Sequence, residues 1–513
     1  MDTVRACIEA HADATPDGTF LIAPEGGQRL SYSELKTAVD EFGERLDALG
    51  LGPDAKVAFL ANNGYWSTQI FLGVMANNRV IVPLNAVSGQ VQLVHVLDHS
   101  DAEVVFVQPE YRDKLAEIMQ QIERPIRVIE VTDESGPDWP ERGLSPATAS
   151  SPAPEDTALL LYTSGSTGLP KGAILSHRAV VSGGRNVTEG HRLTPQDRAL
   201  CVLPIYHING AMVTVSAPLY SGGSVVMPKR FSATDYWNLV AGHHCTWSSI
   251  VPTIIKYLLD RAAQEPYRFG SDERLQAFRF ARSASAPLPV ATLEEWEQTF
   301  KLPMIETLGL TETAGTVASN PLPPASCKPG SVGLPYGNEI KIVDKQLKGF
   351  PPGEVGELAI RGSNLLDRYY KNPEATADSI VDGWFLTGDL GMKDEAGYIF
   401  LTGRSKELII RGGENIAPRE IDDVLYQHEA ILEAAAVGVD DDNYGQEVVA
   451  CVVVRDGYEC GENELKAMCE SAVGKYKSPK IIYFFDDLPK GPSGKILRLK
   501  LPDLINKSLQ GGS

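Results

Sequence analysis

A chain of 513 residues, 43% apolar and 22% charged, has room for about three or four domain-sized units and enough apolar material to fill their cores. Its net charge of −20 sets it against phosphate backbones and anionic lipid, which excludes nucleic acid and membrane surface as first-choice partners. Any anionic ligand needs a local positive site within that field. The opening stretch, "MDTVRACIEAHADATPDG", has no basic segment followed by an apolar core, so no secretory leader is expected. No run approaches the roughly 20 apolar residues of a membrane span. Next, "SYSELKTAVDEFGERLDALGLGP" predicts a helix: Ser31 and Glu34 form a capping box, and Leu35, Val39, Phe42, Leu46 and Leu49 share one face. "KVAFLA", "RVIVPLNA" and "AEVVFVQP" then read as strands alternating with helical runs, which argues for an α/β fold with a largely parallel sheet. Residues 131–156, rich in Pro, Ser and acid, predict a loop or linker.

Within "LLYTSGSTGLPKGA" (160–173) an apolar strand gives way to nine residues, 163–171, that hold two glycines, four hydroxyls and a lysine. A Walker loop, GxxxxGK[ST] opening a helix, does not fit this spacing, and no GxGxxG is present. The string predicts a different phosphate device: a loop between two strands whose N–H groups and hydroxyls wrap an oligophosphate while Lys171 adds charge. Further on, "GELAIRG" and "GYIFLTGR" predict short strands, and a boundary falls near 403–406. Beyond it come a helix with Pro418 near its start ("APREIDDVLYQHEAI"), then a strand, a helix and a strand ("EVVACVVV", "ENELKAMCESAVGKY", "KIIYFF"). These make a unit of about 110 residues, an ordinary domain size. The expected division is 1–403 and 404–513. The seven cysteines are scattered and include no CxxC, as suits reduced thiols in a cytoplasm and argues against a disulfide framework or zinc site.

The phosphate-loop string resembles the signature of the adenylate-forming superfamily, which comprises acyl-CoA synthetases, peptide-synthetase adenylation domains and beetle luciferases. "ETLGLTET", "KPGSVGLP", "GELAIRG", "GWFLTGDLG", "GRSKELIIRGGENIAPREID" and "LPKGPSGKILR" resemble its further motifs, in the same order, across about 30–500. The resemblance implies a large N-terminal adenylation domain of α/β sheet subdomains plus a small β-barrel. A small, mobile α+β C-terminal domain follows, hinged near Lys406.

It implies residue roles too. Thr163, Ser164, Gly165, Ser166, Thr167 and Lys171 would hold the ATP phosphates. Glu312 would reach Mg²⁺ and Thr311 the α-phosphate, while Glu306 and Thr307 would line the nucleotide site. Asp389 would accept from the ribose hydroxyls, with Arg404 beside it. Lys495 would neutralise the carboxylate and α-phosphoryl oxygens as they meet. His207 would gate the acid pocket, Arg230 would meet a CoA phosphate, and Gly412, Gly413 and Asn415 would pass the pantetheine arm. The implied reaction is attack of an acid on ATP to give acyl-AMP and pyrophosphate, then acyl transfer to CoA as the small domain turns.

Leu308 stands where most relatives have a tyrosine against adenine. Ile208 replaces the aspartate expected of an α-amino-acid activator, so an amino acid is disfavoured. Ile208, Trp247 and Leu308 are expected to line an apolar acid pocket, with Asn209 and Arg282 as polar contacts. Short, branched, aryl and dicarboxylic acids all remain open at this point, as does the oligomeric state, a homodimer included. The alternatives are an acyl-AMP ligase loading a carrier-protein phosphopantetheine, a luciferase-like oxygenase and a non-catalytic nucleotide binder.

Overall fold

The computed structural model describes residues 1–140, 151–163, 169–264, 273–325, 327–441, 443–491 and 495–511. The helix Tyr32–Ala48 forms as its pattern dictates, with both halves of the Ser31/Glu34 capping box made and Leu35, Val39, Phe42 and Leu46 buried. Two large sheets carry most of the chain. In the first, eight strands run in the order Arg368–Tyr369, Lys171–Ser176, Thr157–Thr163, Val80–Pro83, Lys56–Leu60, Val104–Val107, Arg127–Thr132 and Gly136–Pro137. Its central pairs are parallel, and strands such as Val104–Val107 are buried throughout, as a sheet covered on both faces requires. The expected linker is in part structured: Gly136–Pro137 pairs with Arg127–Thr132, and Trp139 packs edge-on against Phe42 and Phe106.

The second sheet has nine strands, with Gly315–Ser319, Met304–Leu310, Phe280–Ser283, Trp247–Ile250 and Arg198–Leu200 adjacent in that order. Phe280–Ser283 is parallel to both its neighbours, and Met304–Leu310 turns back on Gly315–Ser319 antiparallel. Ligand sites in such sheets form beyond the carboxyl ends of the strands, which here are the stretches from Val251, from Ala284 and from Thr311.

The segment expected as a small β-barrel is a five-stranded antiparallel sheet with a branch. The long strand Trp384–Lys393 pairs along one edge with Gly356–Gly362. On its other edge it pairs with Ile380–Val381 at its start and Ile399–Arg404 at its end. The pairing among the described residues therefore branches rather than closing into a ring.

From Ile409 onward the chain builds its own five-stranded sheet and two apolar clusters, one around Ile421, Leu425 and Leu465 and one around Val449, Leu501 and Ile505. Helix Pro418–Leu425 carries Pro418 in its first turn. No helix among the described residues is long and apolar enough to cross a membrane, and all seven cysteines are free.

Candidate active site

Strands Thr157–Thr163 and Lys171–Ser176 form a hairpin in which Thr163 stands opposite Lys171, so the two ends of the expected phosphate loop are brought together. Ser164, Gly165, Ser166 and Thr167 lie outside the described residues. Ser176 caps the following helix.

Thr311 and Glu312 sit on a short turn, Thr311–Thr313, where the strand Met304–Leu310 ends. A strap absent from the sequence reading binds this turn to the hairpin. The backbone N–H of Leu366 donates to Glu312 O, that of Asp367 to Ile174 O and that of Tyr370 to Gly172 O. Asn364 Nδ2 donates to Thr313 O at 2.6 Å. Within the strap the Tyr369 hydroxyl donates to Glu312 Oε1 at 2.8 Å, and Lys171 Nζ lies 4.3 Å from the Tyr369 ring centroid. Lys171 and Glu312 thus meet on two sides of one tyrosine.

A cavity of about 370 Å³ opens beside this assembly. From the large part of the chain it is lined by Ser285, Glu306, Thr307, Leu308 and Asp389, and from residue 404 onward by Arg404, Arg419 and Lys495. Asp389 and Arg404 are cross-strand partners, Nε to Oδ1 2.7 Å. The turn before Asp389 needs Gly388, whose φ of +73° is one that side chains resist. Glu306 accepts from the Leu288 N–H at 3.2 Å while its Oε2 is buried without a partner. Burial pushes Glu306 up to about 7, and Arg419, 4.0 Å away, pulls against that shift. Ser285 holds a left-handed φ of +70° at the cavity wall, a strained position of the kind found at functional sites.

Lys495 lines this cavity, and its backbone carbonyl accepts from the Gly491 N–H at 2.7 Å. Nearby, Arg498 pairs with Asp422 at 2.6 Å and with Glu407 at 3.3 Å. Burial lowers the Lys495 pKa, Arg404 adds to the shift, and Glu407 and Asp389 oppose it.

Of the expected residues, Glu306, Thr307, Leu308, Asp389, Arg404 and Lys495 share the cavity; Thr163, Lys171, Thr311 and Glu312 form the adjoining hairpin-and-turn assembly. Two expectations are corrected. Trp247 is fully buried, stacked on Phe280 and edge-on to His191. It begins the strand whose opposite end, at Val251 and Pro252, reaches the cavity. Ile208 is likewise a core residue and does not line the cavity. His207 stays outside the lining, its Nδ1 accepting from the Asn209 N–H at 3.4 Å, and desolvation pushes it down to about 4. Arg230, Lys406, Gly412, Gly413 and Asn415 are exposed and outside the cavity. Asn209 and Arg282 belong to a buried polar cluster directly behind Ser285 and Thr307. Tyr369, Arg419 and Ser285 were missed in the sequence. Only the aromatic pair Tyr369–Tyr370 before "KNP" offered a signal.

The donor set suits Mg²⁺, which takes one or two carboxylates and keeps waters and phosphates as its other ligands. Glu312 could hold it, and among the described residues no cluster of three or more His, Cys, Asp or Glu offers an all-protein site.

A family model described as AMP-binding enzyme matches residues 8–370, and one described as AMP-binding enzyme C-terminal domain matches residues 420–495. The chain is 44% identical to a sulfoacetate–CoA ligase of Cupriavidus necator, over 98% of this chain and 97% of that protein. It is 34% identical to an oxalate–CoA ligase of Arabidopsis thaliana, over 97% of each. The solved o-succinylbenzoate CoA synthetase of Bacillus subtilis, in complex with ATP and magnesium ion, matches with a TM-score of 0.85 at 28% identity, over 96% of this chain and 98% of that one.

Proposed function

The chain belongs to the AMP-binding enzyme family and is an acid–CoA ligase that works through an acyl-adenylate with ATP, Mg²⁺ and CoA, and we propose that Lys495 stabilises the charge of its adenylation step. The observation that carries this is the meeting in one cavity of Lys495 with Asp389, Arg404 and Glu306, drawn from separate stretches of the chain.

A carboxylic acid is already ionised at neutral pH. Its oxygen attacks the α-phosphorus of ATP, the bond to the bridging oxygen breaks, and pyrophosphate leaves with that electron pair. The difficulty is the approach of two anions. Lys495 offers a compact charge at that meeting, and Lys171 with Thr163 holds the phosphates at the hairpin. Glu312 would hold Mg²⁺, which when bound would supply further charge neutralisation, and Thr311 would reach the α-phosphate. Asp389 accepts from the ribose hydroxyls, and Arg404 fixes its carboxylate. Leu308 offers adenine an apolar wall. Tyr369 positions both Lys171 and Glu312.

For the second step the CoA sulfur forms the thioester bond and AMP leaves. With Lys495 lining the cavity, Gly412 and Gly413 stand on an exposed hairpin away from it. We therefore place the domain boundary at 403/404 and a hinge at Lys406, on the exposed turn Ser405–Glu407. Rotation there withdraws Lys495 and brings the glycine hairpin to the site. The free cysteines support a reducing, cytoplasmic setting.

The acids named for the two curated relatives, sulfoacetate and oxalate, are small and carry a second acidic group, which supports a small polar acid as substrate here. The test is CoA-dependent AMP and pyrophosphate formation over sulfoacetate, oxalate, malonate, succinate, butyrate and benzoate. No AMP from any of them would overturn the reading, and AMP that forms only with a phosphopantetheinylated carrier would replace CoA as the acceptor.

A further inference from the structure

The fold buries three arginines among the described residues. Arg79 pairs with Asp47, and Arg419 with Glu306 and Asp423. Arg282, only 1% exposed, has no carboxylate partner among the described residues. Its Nη1 donates to Thr316 Oγ1 at 2.9 Å and faces His191 Nε2 at 3.4 Å, its Nη2 donates to Thr307 Oγ1, and its Nε is buried without a partner. Burial and the adjacent Arg282 charge keep His191 neutral, so the ring offers a lone pair and no countercharge. A guanidinium withdrawn from water among neutral oxygens alone is costly, and that cost is relieved by an anion able to take its planar fork.

This cation lies one hydroxyl behind the cavity. Thr307, which takes its Nη2 bond, lines the wall, and so does Ser285. Ser285 Oγ accepts from Asn209 Nδ2 at 3.3 Å, and Asn209 Oδ1 accepts from Ser249 at 2.7 Å. Asn209 opens a π-helical stretch, Asn209–Ser216, a helical form that recurs at functional sites. The wall here is therefore polar and backed by one positive charge, whereas Leu308 and Leu310 make the adjoining wall apolar.

We propose that Arg282 is the receptor for a second anionic group on the acid substrate. The reacting carboxylate faces Lys495, and a distal carboxylate or sulfonate reaches past Thr307 and Ser285 to the guanidinium, replacing neutral contacts with a charge-paired one. This inference rests on the ligase reading above and adds to it the residue that selects the acid.

The test compares malonate and succinate with their monomethyl esters, which keep the shape and lose the second charge, and sets 3-sulfopropionate against butyrate. On the unaltered enzyme each doubly anionic acid should exceed its singly charged counterpart in kcat/KM for adenylation. The better anion of the two classes identifies carboxylate or sulfonate. In Arg282→Gln the preference should fall by about a hundredfold, the scale for losing one buried, hydrogen-bonded charge partner, mainly through KM for the acid. Arg282→Lys, which keeps charge without the fork, should recover part of it. A preference that survives Arg282→Gln in a protein of unchanged melting temperature overturns the assignment and leaves the ligase reading intact. If Arg282→Gln fails to fold, the comparison on the unaltered enzyme still decides: equal kcat/KM for acid and half-ester overturns the proposal. Absence of AMP from every acid would instead strike the ligase reading itself.

Discussion

The Tyr369 hydroxyl donates to the Glu312 carboxylate at 2.8 Å while Lys171 lies over the tyrosine ring. If Glu312 holds Mg²⁺, Tyr369 orients that ligand without touching the ion. Tyr369→Phe keeps the ring beneath Lys171 and deletes the donor. Outer-shell partners of metal ligands are worth about 10- to 100-fold in metal affinity, so the Mg²⁺ concentration for half-maximal adenylation should rise at least about tenfold. Unchanged Mg²⁺ dependence, measured by pyrophosphate release, would remove Glu312 from the metal site.

How far the sequence disclosed this arrangement follows from the kind of bond involved. The helix Tyr32–Ala48 and the two strands flanking the phosphate loop rest on local patterns, and both were legible. The strap 364–370 was not, because it is held by backbone N–H groups donating to Gly172, Ile174 and Glu312, and backbone bonds leave no side-chain signature. Trp247 was misplaced for a related reason. An aromatic residue at a strand start looks the same whether its end of the strand faces a ligand or the core, and only the sheet order shows that the far end reaches the cavity. Arg282 was expected as a polar contact of the acid pocket, but its lack of a carboxylate partner among the described residues is a tertiary fact.

Lys495 and Lys406 should separate the two half-reactions in opposite directions. Lys495→Ala should slow adenylation at least about 10²-fold, the scale for one aligned charge-stabilising donor, and spare thioester formation from preformed acyl-adenylate. Lys406→Pro, which fixes φ near −65°, should spare adenylation and slow the thioester step. Because burial and Arg404 lower the Lys495 pKa, its charge is lost at lower pH than for an ordinary lysine. Adenylation should therefore decline on the alkaline side below about pH 10.4, the free-lysine value, with no matching decline in the thioester step. Equal losses in both half-reactions would refute the rotation.

Glu306 carries a second pH signature. Burial raises its carboxyl from 4.5 to about 7. Between those values the unfolded chain gives up the proton and the folded chain keeps it, so this group's contribution lowers stability as pH rises through the window and levels off above about 7. Glu306→Gln is uncharged throughout. Its melting temperature relative to the parent should therefore be higher at pH 7.5 than at pH 5, by scanning fluorimetry. An identical difference at both values would mean that Arg419 holds Glu306 ionised across the range.

Leu308 tests the placement of adenine. Its side chain packs with Val317, Val332 and Ile340 and still reaches the cavity wall. If the base lies there, leucine gives apolar contact and no ring stacking. Stacking on an aromatic side chain is worth roughly 1–3 kcal/mol per base by truncation. Leucine already provides part of that contact, so Leu308→Tyr should tighten ATP by about tenfold, equivalent to about 1.4 kcal/mol. The added ring cannot enter the cluster around Val317 without overpacking it, so it must extend into the cavity. There it narrows the space next to Thr307, the hydroxyl that separates the cavity from Arg282. The variant should combine a lower KM for ATP with a shift toward shorter acids, read from the same acid panel. ATP and acid kinetics both unchanged would show that position 308 faces neither ligand and that the base lies elsewhere along the wall.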